Sequence, residues 1–351
     1  MTDPEIRATR HSVPDSTSAI YEEFYERGWI DGLPIVPPTE ARVREMLAGT
    51  ALPPDHVLVK LRPTLRAATV ELVAINAVMA GCAPMQLPAV IAAMEALADP
   101  HYYLLPMGTN PAAPVVVVNG PARERMGITS SYNTLGPGQR ANLTIGRAVH
   151  LVIQNVGMGG RFGIRDQTTI GMPGKLGMCM GENEEASPWD PLHVERGFAP
   201  DASTVTLFNV NGSLNFYDEY SDDAPSLLRT LGRSMAVQGA SNFFYPSMPL
   251  MVIGVQHANK LAGAGYTKAR VKQALWEHAR VAADDISPGQ LRFLNDRSRR
   301  GVKVVNGYVH VTDDPEGIGI VVSGGLGTHS QFMLSLGFNP RDATTKEIRF
   351  P

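Results

Sequence analysis

The residues from Cys179 to Arg196 form the densest group of chemically active side chains in this sequence. The stretch holds a thiol, four glutamates, an imidazole, a guanidinium and an indole. It reads Cys-Met-Gly-Glu-Asn-Glu-Glu-Ala-Ser-Pro-Trp-Asp-Pro-Leu-His-Val-Glu-Arg. A site that must position acids, bases and a nucleophile needs such a mixture. We therefore predict an active-site loop here; the alternative interpretation is a solvated acidic turn.

The side chains of this stretch suggest a division of roles. Cys179 would be a nucleophile, a redox thiol or a metal ligand, since a thiolate can serve as any of these. Glu182 and Glu185 would act as general acid and base, although the sequence does not separate them from Glu184. His193 would relay protons or bind a ligand.

A metal site is an alternative use of the same atoms. His193, His329 and nearby glutamates could hold a divalent metal, as in a hydrolase or lyase. Neither His-Glu-x-x-His nor Cys-x-x-Cys occurs in the sequence. Sequence spacing therefore does not gather a ligand set.

The second cysteine, Cys82, follows a predicted helix that ends at Gly81. The negative helix terminus disfavours a thiolate there, whereas the start of the next helix favours one. Cys82 and Cys179 could meet as a catalytic dithiol. The plainer interpretation is two buried thiols that act as small hydrophobic side chains.

The clearest predicted helix spans residues 139–156 and opens after a Gly-Pro-Gly turn. Free backbone amides at its start, together with Arg140, suit a carboxylate or phosphate group of a substrate. Asn142 falls on the apolar side of this helix, so its amide must find a partner or meet a ligand. A simple turn before a capped helix is the alternative.

A second candidate for ligand binding is the glycine-rich turn Ser323–Ser330, which follows a β-branched run. Such turns after strands bind anionic ligands in α/β proteins. We assign Gly324, Gly325 and His329 to substrate binding, together with Asn183 of the acidic loop. The turn is not a dinucleotide-binding fingerprint, since a serine stands at the third glycine position.

Composition narrows the class of protein. The chain has 351 residues, 44% hydrophobic and 19% charged, with a net charge of −3. Basic residues are scattered, which argues against nucleic-acid binding. No apolar run approaches the roughly 20 residues that cross a bilayer, and the N-terminus lacks a signal-peptide core. We expect a cytoplasmic protein that is a homo-oligomer by default.

Strand and helix patterns alternate along the second half of the sequence, which predicts an α/β fold. We expect a mixed sheet with flanking helices, arranged as one large unit or two closely packed halves. The predicted divisions are a disordered N-terminus (1–15), a helix-rich α/β half (16–160) and an α/β half that carries the glycine-rich and acidic loops (161–351). Eight glycines between residues 157 and 181 predict a long irregular loop.

Several long motifs together resemble a known family. They are Asp-Gly-Leu-Pro-Ile-Val-Pro-Pro-Thr at 31–39, Asn-Ala-Val-Met-Ala-Gly-Cys at 76–82, Arg-Ala-Asn-Leu-Thr-Ile-Gly-Arg at 140–147 and the run from Gly181 to Gly197. The chain resembles a poorly characterised bacterial family associated with UGSC-type (seleno)proteins. The resemblance implies thiol or selenol chemistry and a UGSC-type redox protein as partner. The chain itself lacks the Gly-Ser-Cys motif.

These observations lead to one main functional prediction and two alternatives. The main prediction is an enzyme that acts on a small polar or anionic metabolite by thiol-assisted or acid–base chemistry. The first alternative is the metal-dependent hydrolase or lyase. The second is a non-catalytic subunit that binds a small molecule or partners a redox protein, with the stripe Arg140–Arg147 as its interface.

Overall fold

The computed structural model describes residues 5–102, 109, 112–160, 166–296 and 304–351. Eleven helices lie within these ranges: α1 Thr17–Glu26, α2 Glu40–Leu47, α3 Val70–Ala80, α4 Leu87–Leu97, α5 Ala122–Met126, α6 Arg140–Val152, α7 Leu192–Glu195, α8 Ala224–Met235, α9 Val255–Gly263, α10 Lys268–His278 and α11 Pro288–Asn295. A π-helical turn, Ile153–Gly157, continues α6.

Twelve strands lie within the same ranges: β1 Val57–Leu61, β2 Arg66–Thr69, β3 Ala113–Asn119, β4 Met178–Gly181, β5 Thr204–Tyr217, β6 Leu250–Ile253, β7 Arg280–Ala282, β8 Val304–Val305, β9 Tyr308–His310, β10 Gly319–Val322, β11 His329–Ser335 and β12 Thr344–Glu347. Strands β1 and β2 form a hairpin, and β7, β9 and β8 form a small antiparallel sheet.

The main sheet has seven strands in the order β10-β6-β11-β5-β3-β4, with β12 also paired to β5. The pairs β10–β6 and β3–β4 are parallel, whereas the other pairs are antiparallel. The sheet curls, because the N–H of Asn183, just after β4, donates to the carbonyl of Val322 at the end of β10 (2.7 Å). The predicted α/β fold with a mixed sheet and flanking helices is confirmed.

The buried elements follow directly from their apolar sequences. Helices α3 and α4 and strand β3 are hydrophobic on nearly every side, and almost all of their side chains are buried. Gly81 ends α3 with a φ of 91°, a left-handed conformation that glycine adopts without a steric penalty. The sequence predicted this helix, including its end.

The two predicted halves share the main sheet. Strand β3, from the first half, lies between β4 and β5 from the second half. The backbone of residues 5–15, where we expected disorder, lies against α3: the N–H groups of Arg7 and Ala8 donate to the carboxylate of Glu71 (3.0 and 2.7 Å). An acidic side chain in an apolar helix thus holds the N-terminal segment. Residues 1–4 lie outside the described ranges.

Hydrophobic side chains on the two faces of the main sheet pack into separate clusters. Strand β4 shows the division, because Cys179 packs with α3, α4 and α6, whereas Met180 packs with the opposite face. Side chains of a strand alternate between faces, so neighbours in sequence enter different clusters. Within the described ranges, no helix is both long and apolar enough to cross a membrane.

Candidate active site

The carboxyl ends of strands β3, β4 and β10 meet at the place where the sheet curls. The Ser323 hydroxyl, just after β10, donates to the carbonyl of Gly181 at the end of β4 (2.8 Å) and to that of Ser130 (3.1 Å). The N–H of Gly324 also donates to Ser130 (2.8 Å). Asn183 binds the same turn through its side chain, which donates to the carbonyl of Gly324 (3.1 Å). The carboxyl ends of strands are where α/β folds bind ligands.

A group of charged and amide side chains surrounds this point. We call it the carboxylate cluster, and its members are Glu182, Glu184 and Glu185 with Asn119, Arg123 and Lys268. The sequence predicted that Glu182, Glu185, Asn183, Gly324 and Gly325 belong to one site. The structure brings these residues to the same end of the sheet.

Glu182 is the most deeply placed member, with no exposed surface. Its Oε2 accepts hydrogen bonds from the Asn119 side chain and from the N–H of Leu192, both at 2.7 Å. Its Oε1 has no hydrogen-bond partner among the described residues, and the Lys268 ammonium lies 3.9 Å away. Burial raises the pKa of the Glu182 carboxyl, against the opposing effect of Lys268.

The two outer glutamates share the guanidinium of Arg123. Arg123 donates to both oxygens of Glu185 (3.0 and 2.7 Å) and lies 3.2 Å from Glu184. This pairing holds the pKa of Glu185 below its ordinary value. Glu184 also accepts from the Asn119 amide (3.0 Å) and the N–H of Gly120 (2.7 Å). Asn119 therefore joins the inner glutamate to the outer pair.

The inner side of the cluster is closed by buried lysines. Lys268 donates to the carbonyl of Asp190 (2.9 Å) and pairs with Glu195 (3.1 Å). Lys272 pairs with Glu195 and with Glu316. Because Lys268 has these closer partners, its charge only partly offsets the effect of burial on Glu182. The pKa of the Glu182 carboxyl therefore stays above its ordinary value, whereas that of Glu185 lies below.

Such a site has the elements of an acid–base pair. Burial raises the pKa of Glu182, whereas an arginine lowers that of Glu185. Carboxyl groups whose environments push their pKa values apart can serve as proton donor and charged partner. Arg123 links the two residues, because it donates to the backbone carbonyl of Glu182 and to the carboxylate of Glu185.

The cysteines lie elsewhere and in a different environment. Cys179 is a residue of strand β4, whereas the sequence suggested an irregular loop, and it pairs with Val116 of β3. Both cysteines are buried free thiols. Burial raises the pKa of Cys82 to about 12 and raises that of Cys179 further, with Cys82 as a second contributor. Such thiols stay protonated, which does not suit a nucleophile.

We expect both thiols to resist alkylation in the native protein. Iodoacetamide at pH 8 should label Cys82 and Cys179 at least about a hundredfold more slowly in the folded protein than in denaturant, since the thiolate is the reactive form. Mass spectrometry of timed samples measures both rates. Rapid native labelling of Cys179 would restore the prediction of a reactive thiol.

The two histidines predicted as site residues, His193 and His329, contact different parts of the chain. The ring of His193 is fully buried, and its Nε2 lies 3.2 Å from the carbonyl of Pro200. His329 begins β11, not a glycine-rich turn, and its Nδ1 lies 3.0 Å from the Asn215 amide. Within the described ranges, no three His, Cys, Asp or Glu side chains group as metal ligands.

Arg140 and Arg147, predicted as an anion-binding group or interface, bind within the chain. Arg140 donates to the carbonyl of Gly81 (3.0 and 3.2 Å) and so caps α3. Arg147 forms a two-bond pair with Asp31 (2.8 and 2.7 Å). Arg140 therefore makes a structural contact in the folded chain, and its role in holding a substrate anion stays a prediction.

Asn142 is a supporting residue of the site. Its side chain accepts from the N–H of Thr129 (3.0 Å) and donates to the carbonyls of Thr129 and Thr134 (both 2.9 Å). Its hydrogen bonds fix the loop that contains Ser130. The sequence required either a protein partner or a ligand for the Asn142 amide, and in the structure its partners are protein groups.

The glycine-rich turn lies beside an aromatic side chain. Gly324 has a φ of 95°. A Cβ added to Gly325 would lie 2.1 Å from the ring of Tyr132, which is 61% exposed. Gly324 thus allows the left-handed backbone of the turn, and Gly325 lets the turn lie close to the Tyr132 ring.

Sequence reasoning missed Asn119, Arg123 and Lys268. Glycine and proline follow Asn119 in the sequence, a pattern that is typical of a turn. Its position directly after a valine strand was the available signal, since strand ends carry binding residues. No local pattern marks Arg123 or Lys268, whose sequence separations from Glu182 are 59 and 86 residues.

A second polar group surrounds His150 on α6. Its ring and the Gln154 side chain are each more than nine-tenths buried and lie 3.3 Å apart. Lys175 and Asp166 form an ion pair (2.6 Å) in the same pocket, which measures about 310 Å³. Burial, with the Lys175 charge, lowers the pKa of His150 to about 4, so its ring is neutral at pH 7.

Comparison with known proteins adds no relative. The chain matches no protein-family model, and no curated protein is significantly similar to it. The resemblance to the UGSC-associated family therefore stays a prediction.

Proposed function

We propose that this protein is an enzyme that acts on a small polar metabolite by acid–base chemistry at the carboxylate cluster. Glu182 is the proton donor and acceptor. The observation that supports this role is its position: a fully buried carboxyl group with one unpartnered oxygen, at the meeting point of three strand ends.

The surroundings of Glu182 support proton transfer. A carboxyl group becomes an effective general acid near neutral pH when burial raises its pKa, as here. The hydrogen bonds from Asn119 and Leu192 fix Oε2. Oε1 is then the oxygen that exchanges a proton with the substrate.

The outer residues suit substrate binding. Asn183, Glu184 and Gly324 are half-buried, so they form the outer face of the cluster. They offer amide, carboxylate and backbone groups, a set that selects a polar molecule with hydrogen-bond donors. Arg123 is occupied by the outer glutamates, which leaves the proton chemistry to Glu182.

Glu182→Gln should abolish turnover and leave the fold intact. The amide oxygen can take the place of Oε2, and the NH₂ group can occupy the unpartnered Oε1 position. Loss of a general acid–base group costs about 10²–10⁴-fold in rate. Wild type and variant are incubated with a metabolite extract, and mass spectrometry follows which small molecules disappear.

The matched control is Glu316→Gln, an exposed glutamate that pairs with Lys272 outside the cluster. It should convert metabolites at the wild-type rate. Equal conversion by Glu182→Gln and wild type would refute the role of Glu182. A wild-type protein that consumes no metabolite of the extract would count against the enzymatic function itself.

A further inference from the structure

A large cavity lies between the N-terminal segment and helix α3, apart from the carboxylate cluster. Its volume is about 940 Å³, and residues 6–15 form part of its wall. No member of the carboxylate cluster lines it. Small-molecule sites in proteins measure about 300–1,000 Å³, so this cavity is large enough for a metabolite.

One side of the cavity is apolar. It is formed by Phe24, Trp29, Leu72, Ile75 and Met79, among others. The rings of Phe24 and Trp29 meet edge to face, with 5.3 Å between centroids. This wall favours an aliphatic or aromatic body over a sugar or a nucleotide phosphate.

A pair of asparagines provides a polar point on the wall. The Asn155 amide donates to the carbonyl of Trp29 (2.9 Å) and to the Oδ1 of Asn76 (2.7 Å). Asn76, which is 3% exposed, donates in turn to the carbonyl of Leu72 (2.8 Å). Among the described residues, the buried Oδ1 of Asn155 has no partner.

The charges at the cavity differ in how they are paired. Arg10 pairs with Glu40 through two hydrogen bonds of 3.1 Å, and Arg44 contacts the same carboxylate. The Arg66 side chain also lines the cavity, and its guanidinium pairs with no carboxylate in the described part of the chain. A guanidinium without a protein partner suits a ligand carboxylate.

We propose that this cavity binds a small organic acid with an aliphatic or aromatic body. Its carboxylate pairs with Arg66, and its body packs on Trp29 and Leu72. The proposal is independent of the proposed enzymatic function, because the two sites share no residue.

The N-terminal segment acts as the removable wall of this site. Glu71 holds it through the N–H groups of Arg7 and Ala8, and Glu71 is 5% exposed. These bonds also lie at the start of α3, where a carboxylate is favoured by the helix dipole. Their loss would open the cavity without altering its apolar floor.

Binding is tested with two probes that share a body, octanoate and 1-octanol, by isothermal titration calorimetry. Octanoate should bind the wild-type protein, and Arg66→Gln should weaken it about fivefold, in the range of an exposed ion pair. The affinity for 1-octanol should stay unchanged in that variant. Arg62→Gln, an exposed arginine of the same hairpin that does not line the cavity, is the matched control and should bind as wild type.

A second variant tests the location. Leu72→Trp fills the cavity and should abolish the binding of both probes, with folding checked by circular dichroism. Ile75→Phe, a smaller change on the same wall, replaces it if the tryptophan variant does not fold. Trp29 fluorescence should change on octanoate binding in wild type, and Trp29→Phe should lose that signal.

The outcomes are decisive. Absence of octanoate binding, or binding that survives the cavity-filling variant, overturns the site. Equal weakening of octanoate and 1-octanol by Arg66→Gln overturns the assignment of a carboxylate. Glu71→Gln should speed the association of octanoate measured by stopped flow, and an unchanged rate would show that the N-terminal segment is not the entrance.

Discussion

Arg123→Met is expected to lower the free energy of unfolding by about 3–5 kcal/mol, the cost of breaking a buried ion pair from one side. Arg123 is 6% exposed and donates to the carbonyls of Gly120 (3.2 Å) and Glu182 (2.7 Å), besides pairing with Glu184 and Glu185. Methionine fills similar volume but donates no hydrogen bond. The half-buried Glu184 side chain would then keep, among the described residues, the N–H donors of Asn119 and Gly120 but no cationic partner.

Urea denaturation followed by circular dichroism measures this loss. Arg349→Met is the control, since Arg349 also pairs with a glutamate, Glu95, but is 68% exposed. Such exposed pairs contribute about 0–1 kcal/mol. A loss in Arg123→Met no larger than in the control would show that the carboxylate cluster does not depend on its arginine.

A double variant separates lost charge pairing from lost packing. Adding Glu184→Gln to Arg123→Met removes the unpaired carboxylate. If unpaired charge causes the instability, part of the stability should return, and the effects of the two changes should be non-additive. The same measurement therefore tests whether the cluster is held by electrostatics, as its geometry indicates.

The architecture was predictable where hydrophobic patterning was strong. Helices α3 and α4 and strand β3 are long apolar runs, and their type follows from length and β-branching. Strand β4 escaped prediction because only four residues form it, the last of them Gly181, and because Gly177 precedes it. Its strand conformation comes from pairing with β3, which local sequence does not encode.

Strand β4 also explains why the sequence placed Glu182 at the candidate site correctly but wrongly predicted a reactive thiol at Cys179. Cys179 and Glu182 are three residues apart, so a loop would have kept them together. In the structure Cys179 points from β4 into the hydrophobic cluster below the sheet, whereas Glu182 follows the strand end. The carboxylate of Glu182 is contacted from β3, α7 and α10, and its backbone carbonyl from α5. Only the folded chain brings β3, α5 and α10 near it.

Two buried titratable groups, His150 and Asp342, make the free energy of unfolding depend on pH in opposite directions, and the two contributions nearly cancel. His150 has a pKa of about 4, lowered from 6.5 by burial and by Lys175, while Asp166 and Asp31 oppose the shift. Asp342 has a pKa of about 7, raised from 3.8 by burial, although it accepts from Met248 and Ser247. Neither group belongs to the carboxylate cluster.

The signs follow from proton binding in the folded and unfolded chains. Between about pH 6.5 and 4, the unfolded chain protonates His150 and the folded chain does not, so acid destabilises the fold. Between about pH 3.8 and 7, the folded chain keeps a proton on Asp342 that the unfolded chain loses, so stability falls as pH rises. At about 1.4 kcal/mol per pH unit, these effects amount to about 3 and about 4 kcal/mol.

Single variants should therefore reveal how each group changes the free energy of unfolding with pH. Relative to wild type, His150→Gln should become less stable by about 3 kcal/mol as pH rises from 4 to 6.5, and Asp342→Asn more stable by about 4 kcal/mol from pH 4 to 7. Urea midpoints at half-unit pH steps measure both differences, and groups common to all three proteins cancel. Each variant is the control for the other. Differences of the same sign would show that one of the two groups is not held in the protonation state that its burial dictates, and flat differences in both would show this for both groups.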